Sequence, residues 1–234
     1  MNCVVFIEPG PRLNLLGQFE IVDGDRRVAL PRDAQRLVAF LALRGRRVPR
    51  SFVAGSLWLE HNKERASGNL RSALWRVRKQ VGSLLDCEAS DLAIGSTTRV
   101  DVVSLAEVAD RLASGAECRE ADLALKPYTE ELLPGWYDEW VVIERERVRQ
   151  LSLHVLEGIA DRLATLGHHG AAVQAALRAI EADPLRESAH RCLIRVHLDE
   201  GNRSEAQRQF EFYRDLLSNE LGFAPSQRMI DLMY

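Results

Sequence analysis

The 234-residue sequence has no long apolar run, and without one nothing in it is expected to span a bilayer. Its opening, MNCVVFIEPG, lacks both a basic n-region and an apolar stretch long enough for a secretory leader, so a cytoplasmic protein is expected. Cysteine is sparse: Cys3, Cys87, Cys118 and Cys192 lie far apart, match no metal spacing and are expected to be reduced thiols. Enzyme signatures are missing as well, with no GxGxxG, Walker A, HExxH or GxSxG. His168-His169 sits on a turn. His190 and His197 lie two helical turns apart, with no cysteine or acid cluster to complete a ligand set. No catalysis, cofactor or metal is expected.

One segment is short of acids. Residues 1–100 hold 16 Lys+Arg and 10 Asp+Glu, a net of +6, whereas residues 101–234 hold 15 and 24, a net of −9. Within 26–79 there are 14 basic residues against 3 acidic. A basic domain that meets a polyanion, joined to an acidic domain with another task, fits this division.

The basic segment culminates in NLRSALWRVRKQ, residues 69–80. At helical spacing Leu70, Ala73, Leu74, Val77 and Val81 form an apolar stripe that requires a core. The other side carries Gly68, Ser72, Trp75 and Lys79, flanked by Arg65, Arg71, Arg76 and Arg78. A solvated face ordinarily mixes the two signs of charge, and this one holds five cations and no acid from Arg65 to Gln80.

Ahead of it, Leu13–Val22 contains alternating β-rich stretches broken by Gly17, and RVAL at 27–30 returns as a partner strand after the turn DGD. Asp33 is placed as the N-cap of a buried helix that Gly45 ends, RRVPR is extended, and Ser51 is placed as the cap of a second helix. The basic helix is expected over 64–85. LAIG and TTRVDV then read as a hairpin around Gly95-Ser96. Sheet, helix, short strand, helix, basic helix and hairpin make a winged helix-turn-helix over residues 12–102, preceded by an extension, 1–11.

From 103 to 234 the texture is helical. Ser104 and Glu107 have capping-box spacing and open a helix that closes on Gly115, and the helical stretch 104–125 and a long helix over 141–166 are expected to cover the ends of the repeats that follow. Between them LKPYTEELLPGWYDEW groups Tyr128, Trp136, Tyr137 and Trp140, either as core fastening this irregular stretch or as a binding site. Beyond them a 34-residue period pairs Gly167 with Gly201, Ala172 with Ala206 and Ala176 with Phe210, the tetratricopeptide pattern. The fold class expected is α+β, a winged helix-turn-helix followed by an all-α tetratricopeptide-like domain.

LNLLGQFEIVDGDRRVALP, RLVAFLALRGRRVPR and ASGNLRSALWRVRKQVG resemble the DNA-binding domain of the Streptomyces antibiotic regulatory protein family, an OmpR-type winged helix. LLPGWYDEWVVIERERVRQL, ALRAIEADPLRESAHRCLIRVHLDEGNRSEAQRQFEFYRDLL and ELGFAPS resemble its bacterial transcriptional activation domain. The resemblance covers about residues 12–234. It implies a transcriptional activator that binds tandem direct repeats in double-stranded promoter DNA as a head-to-tail pair. It also implies recruitment of RNA polymerase holoenzyme, often to secondary-metabolite gene clusters. Larger members add a C-terminal ATPase or phosphothreonine-reading domain; this chain stops at Tyr234, so regulation of that kind is not expected. The hairpin IGSTTRV also lacks the aromatic expected near its second strand.

On this reading Asn69, Arg71, Ser72, Trp75, Arg76 and Lys79 are the candidates for base contact, since arginine can fork two hydrogen bonds to guanine O6 and N7. Trp75 meets either a thymine methyl or sugar edge, or its own protein. Arg78 lies nearer the stripe and can lay its stem along it. Arg50, Ser51, Lys63, Arg65, Thr97, Thr98 and Arg99 are the candidates for phosphate contact, the last three as wing residues. Arg32 and Arg36 face either DNA or a neighbouring copy. The rival readings are a helical interaction scaffold or anti-activator whose basic domain is incidental, and a repressor that uses the same winged helix.

Overall fold

A computed structural model describes residues 10–233, which leaves Cys3 and most of the expected N-terminal extension outside the described residues. The chain divides into two compact units, one of Met1–Ser104 with Glu131–Arg145, the other of Leu105–Glu130 with Glu146–Tyr234.

The first unit opens with β1 (Arg12–Asn14), β2 (Glu20–Asp23) and β3 (Arg26–Val28). Gly24, at φ +59°, lets β2 turn tightly into β3, with Asp23 opposite Arg26. Next come α1 (Arg32–Arg44), β4 (Val48–Pro49), α2 (Arg50–Leu57), α3 (Lys63–Gln80), β5 (Leu85–Cys87), β6 (Asp91–Ile94) and β7 (Arg99–Val100). Two sheets result, ordered β3-β2-β1-β7 and β4-β6-β5. Leu13 and Ile21 of the first sheet, Leu15 just after β1, Leu37–Leu41 of α1, Val53 of α2 and Ala73 and Val77 of α3 are buried, as is Leu92 of β6.

The hairpin therefore differs from the expected one. β6 pairs antiparallel with β5, whereas β7 runs parallel to β1 in the other sheet. Asp101 explains the switch: its carboxylate accepts the backbone N–H groups of Leu15 and Leu16 at 2.7 and 2.8 Å, which draws residues 99–101 alongside β1. Gly95 makes the exit possible, because a Cβ there would lie 2.2 Å from the carbonyl oxygen of Ser83.

Helix starts also shift. α1 begins at Arg32 behind Pro31, and Asp33 lies inside its first turn; α2 begins at Arg50 behind Pro49, with Ser51 inside. Proline presets φ for helix entry, and the donors it lacks are unsatisfied there anyway. α3 ends at Gln80, where Val81 turns extended, φ −143°, and frees Leu84 and Leu85 to enter the core ahead of and within β5.

The next helix, α4 (Asp101–Ser114), starts three residues before Ser104, since Asp101 also accepts the N–H of Val102 at 2.8 Å. Gly115, at φ +67°, ends it where the sequence places the stop, and beyond it the stretch to 125 is not helix but holds a 3-10 turn at Glu120–Leu123, followed by another at Lys126–Tyr128. There Asp122, buried, joins Arg111 and Arg119, and those partners hold its carboxyl below the usual range against the cost of burial.

After α5 (Glu139–Thr165) the second unit continues through α6 (His169–Ala182), α7 (Glu187–Asp199), α8 (Arg203–Leu221) and α9 (Gln227–Met233), with α7 packed on both α6 and α8. The 34-residue period is structural. Gly167 and Gly201 both adopt positive φ, +77° and +82°, while Ala172, Ala206, Ala176 and Phe210 are all buried. Among the described residues no helix is long and apolar enough to cross a membrane.

Candidate nucleic-acid interface

α3 forms because Asn62 caps it, its Oδ1 accepting the N–H of Arg65 at 2.9 Å, and because Ala66, Leu70, Ala73, Leu74 and Val77 all enter the core. Burial of that stripe aims the remaining side chains outward. Lys63, Arg65, Arg71, Ser72, Trp75, Arg78 and Lys79 are exposed, and Asn69 and Arg76 are half-buried along one flank. Trp75 is 62% exposed and so is not a core residue of this unit. Lys79 Nζ lies 5.0 Å from the centre of its ring, a cation-π pair one helical turn apart. Arg71 and Ser72 make no hydrogen bond or ion pair among the described residues. Arg76 does: its Nη1 donates to Asp33 of α1. Arg26 donates to the Gln80 carbonyl at 2.8 Å and supplies a cation where the helix dipole is negative. Asn62 and Arg26 both escape a reading of the sequence, although an asparagine just ahead of a basic helical run is itself an N-cap signal.

The true hairpin, β5–β6, is anionic at its tip. Arg47 pairs with Asp86 and, at 2.9 Å, with Glu88, and Arg50 donates to the Glu88 carbonyl at 3.1 and 3.3 Å. The Arg50 N–H is bonded to the Ser90 carbonyl at 2.9 Å, which stitches the start of α2 to the hairpin, and Ser51 beside it is exposed. Thr97 and Thr98 lie off the hairpin, on the loop into β7, and Arg99 is the first residue of β7. Arg99 there sits opposite Arg12 of β1, both exposed, whereas the Thr98 hydroxyl is buried with no hydrogen-bond partner among the described residues.

Arg32 and Arg36 find partners in their own unit. Arg36 pairs with Asp138 at 2.6 Å, and the Arg32 guanidinium lies 3.6 Å above the ring of Trp136. Trp136 stacks on Phe19 at 5.8 Å and Trp140 meets Phe40 edge-on at 5.3 Å, while Tyr137 is 86% exposed. In the second unit Tyr128 is buried and donates to the Asp122 carbonyl at 2.9 Å. Three of the four aromatics thus fasten their segments. A further fastener, missed in the sequence, is Arg145: it donates to the carbonyls of Leu132, Leu133 and Trp136 at 2.9–3.0 Å and pairs with Glu131.

Among the histidines, His190 serves packing. His190 is fully buried, with Nε2 2.8 Å from the Pro184 carbonyl and Nδ1 2.7 Å from Gln209, and burial lowers its pKa. Among the described residues no group of three His, Cys, Asp or Glu is placed to hold a metal ion.

The sequence profile of the bacterial transcriptional activator domain family matches residues 100–234. The regulatory protein AfsR of Streptomyces coelicolor is 27% identical over 212 residues, which is 86% of this chain and 21% of that protein. AfsR of Streptomyces griseus is 26% identical over 213 residues, 86% of this chain and 22% of its own length. The chain thus spans about a fifth of these relatives. Among solved structures, Mycobacterium tuberculosis EmbR, determined in complex with a low-affinity phosphopeptide, has a similar fold. Its TM-score is 0.73 at 16% identity, with 95% of this chain and 64% of that one covered.

Proposed function

The chain belongs to the bacterial transcriptional activator domain family, among regulators of the Streptomyces antibiotic regulatory protein type, and from that premise we propose that it is a sequence-specific activator whose first unit is a DNA-reading winged helix. The observation that carries this reading is the outer face of α3, where Arg71, Ser72, Trp75 and Lys79 stand exposed above a fully buried stripe. The apolar stripe requires a protein core, and the cationic face above it suits a polyanion. A helix of this width fits the major groove, where Arg71 and Arg76 can fork to guanine and Asn69, Ser72 and Lys79 take shorter or edge contacts. Trp75, with its ring exposed and Lys79 against it, packs on a thymine methyl or a sugar edge.

Phosphates are met by Lys63 and Arg65 at the start of α3, by Ser51 at the start of α2 and by Thr97 and Arg99, whereas Thr98 drops out of the expected set, its hydroxyl being buried and its N–H bonded to the Gly95 carbonyl at 2.9 Å. Arg50 has donors committed to the Glu88 carbonyl, so its share in holding phosphate is exercised mainly by steadying the hairpin. The hairpin tip itself, with Asp86, Glu88 and Asp91, follows the backbone without electrostatic attraction to it.

The chain acts in the cytoplasm on promoter DNA. Two copies sit head to tail on tandem direct repeats, the second unit recruits RNA polymerase holoenzyme, and a secondary-metabolite gene cluster is the target. The stacked helix pairs α5–α8 supply the kind of surface that binds protein partners.

The test is a footprint of the full chain on its own upstream DNA at low and moderate salt, beside a random duplex. Two protected tandem repeats on one face of the DNA, surviving salt that strips the random duplex, support the reading. Equal loss from both duplexes leaves only a cationic patch and favours an interaction scaffold. Transcription from the protected promoter with polymerase present then separates activation from repression.

A further inference from the structure

On α3, Arg76 lies on the flank nearest the first turn of α1, where its Nη1 donates to Oδ2 of Asp33. The two side chains remain 41% and 31% exposed, and so open an ion pair adds little to stability. Its consequence is geometric. A guanidinium is a rigid planar fork, and a bond at one nitrogen narrows the orientations open to the other two. With Nη1 engaged by Asp33, the Nε–Nη2 edge has no partner among the described residues. Two parallel donors on one edge match the O6 and N7 acceptors of guanine. Arg71, by contrast, has no such restraint and must lose its rotamer freedom when it binds. Asp33 stands in the first turn of α1, where the helix dipole favours its charged carboxylate.

We propose that Asp33 is a specificity-determining positioning residue, which holds Arg76 so that its Nε–Nη2 edge reads a guanine in the major groove. This rests on the reading of α3 as the DNA-reading helix.

The experiment measures binding of the full chain to its footprinted site, to every single-base variant of that site and to a random duplex. Arg76→Ala is expected to lose preference for guanine at one position by roughly tenfold or more. Asp33→Ala is expected to lose much of that preference at the same position, while affinity for the random duplex holds or rises because an anion has been removed. Asp33→Asn, which keeps an acceptor oxygen, falls between, and it carries the comparison should Asp33→Ala fold poorly. The double variant is no flatter than Arg76→Ala alone. Asp25→Asn, the same charge change on the β2–β3 turn, leaves the base profile as it was. An unchanged profile in both Asp33 variants, or a loss spread evenly over all positions, overturns the assignment of Asp33. A wild-type chain that prefers no site over the random duplex overturns the reading of α3 instead.

Discussion

A single guanidinium, that of Arg145, satisfies three carbonyl oxygens of the turn Leu132–Trp136, in which Leu133 takes a positive φ of 44°. Positive φ is costly for a side chain with a Cβ, and a segment so bent leaves carbonyls that no helix or strand partner can reach. Removing the donor strands those of Leu132 and Trp136, while that of Leu133 keeps the N–H of Trp136 at 3.1 Å. Arg145→Ala is therefore expected to destabilise the first unit by on the order of 2 kcal/mol, read as a lowered urea midpoint with an unchanged slope. An unshifted midpoint shows that water replaces the guanidinium without loss. Cys192 illustrates the opposite case, a reactive group made inert. Its thiol is buried beside Asp161, and burial first, then that negative charge, pushes its pKa up to about 12. Alkylation at pH 8 is expected to label the half-buried Cys87 and Cys118 in the native protein and to reach Cys192 only after unfolding. Native labelling of Cys192 at the same rate as Cys118 contradicts this.

At the level of elements, the repeat turns are the sharpest test, because Gly167 and Gly201 close equivalent helix pairs at φ +77° and +82° with open space where a Cβ would be. Steric crowding cannot then contribute, and Gly201→Ala is expected to cost only the left-handed backbone penalty, about 1–2 kcal/mol, in equilibrium unfolding. A neutral substitution indicates that the turn relaxes. These turns, like the α3 stripe and the β2–β3 hairpin, were legible in the sequence, since glycine at a fixed period and apolar residues at 3–4 spacing are local signals. What was not legible depended on distant partners. The residues around Arg99 read as a second hairpin strand, yet Asp101 draws them to β1 by accepting the N–H groups of Leu15 and Leu16 just after it, more than eighty residues away in the chain. Asp33 and Ser51 have the chemistry of N-caps, but the prolines before them preset the helix entry earlier. Side chains on the outer face of α3 followed from periodicity alone; that Arg76 among them is tethered to α1 did not, because an ion pair between helices leaves no pattern in either one.

For the whole molecule the governing feature is the segregation of charge, +6 over residues 1–100 against −9 over residues 101–234. Each phosphate neutralised by the chain releases about 0.9 of a counterion from duplex DNA, so the salt dependence of binding counts the cations at the interface. If DNA is held only by the basic segment, that count must come from residues such as Lys63, Arg65 and Arg99, all exposed and none paired to an acid among the described residues. Exposed cations in the acidic part, such as Arg203, add nothing to the count however freely they project. The triple variant Lys63→Ala, Arg65→Ala, Arg99→Ala is expected to flatten the slope of log K against log salt by nearly three units on cognate and random duplex alike. Arg203→Ala is expected to leave the slope untouched. The two results are read together, by fluorescence anisotropy over a series of salt concentrations. A triple variant that keeps the wild-type slope removes these residues from the interface. A fall in slope with Arg203→Ala extends the interface into the acidic half, against the electrostatic division that the sequence implies.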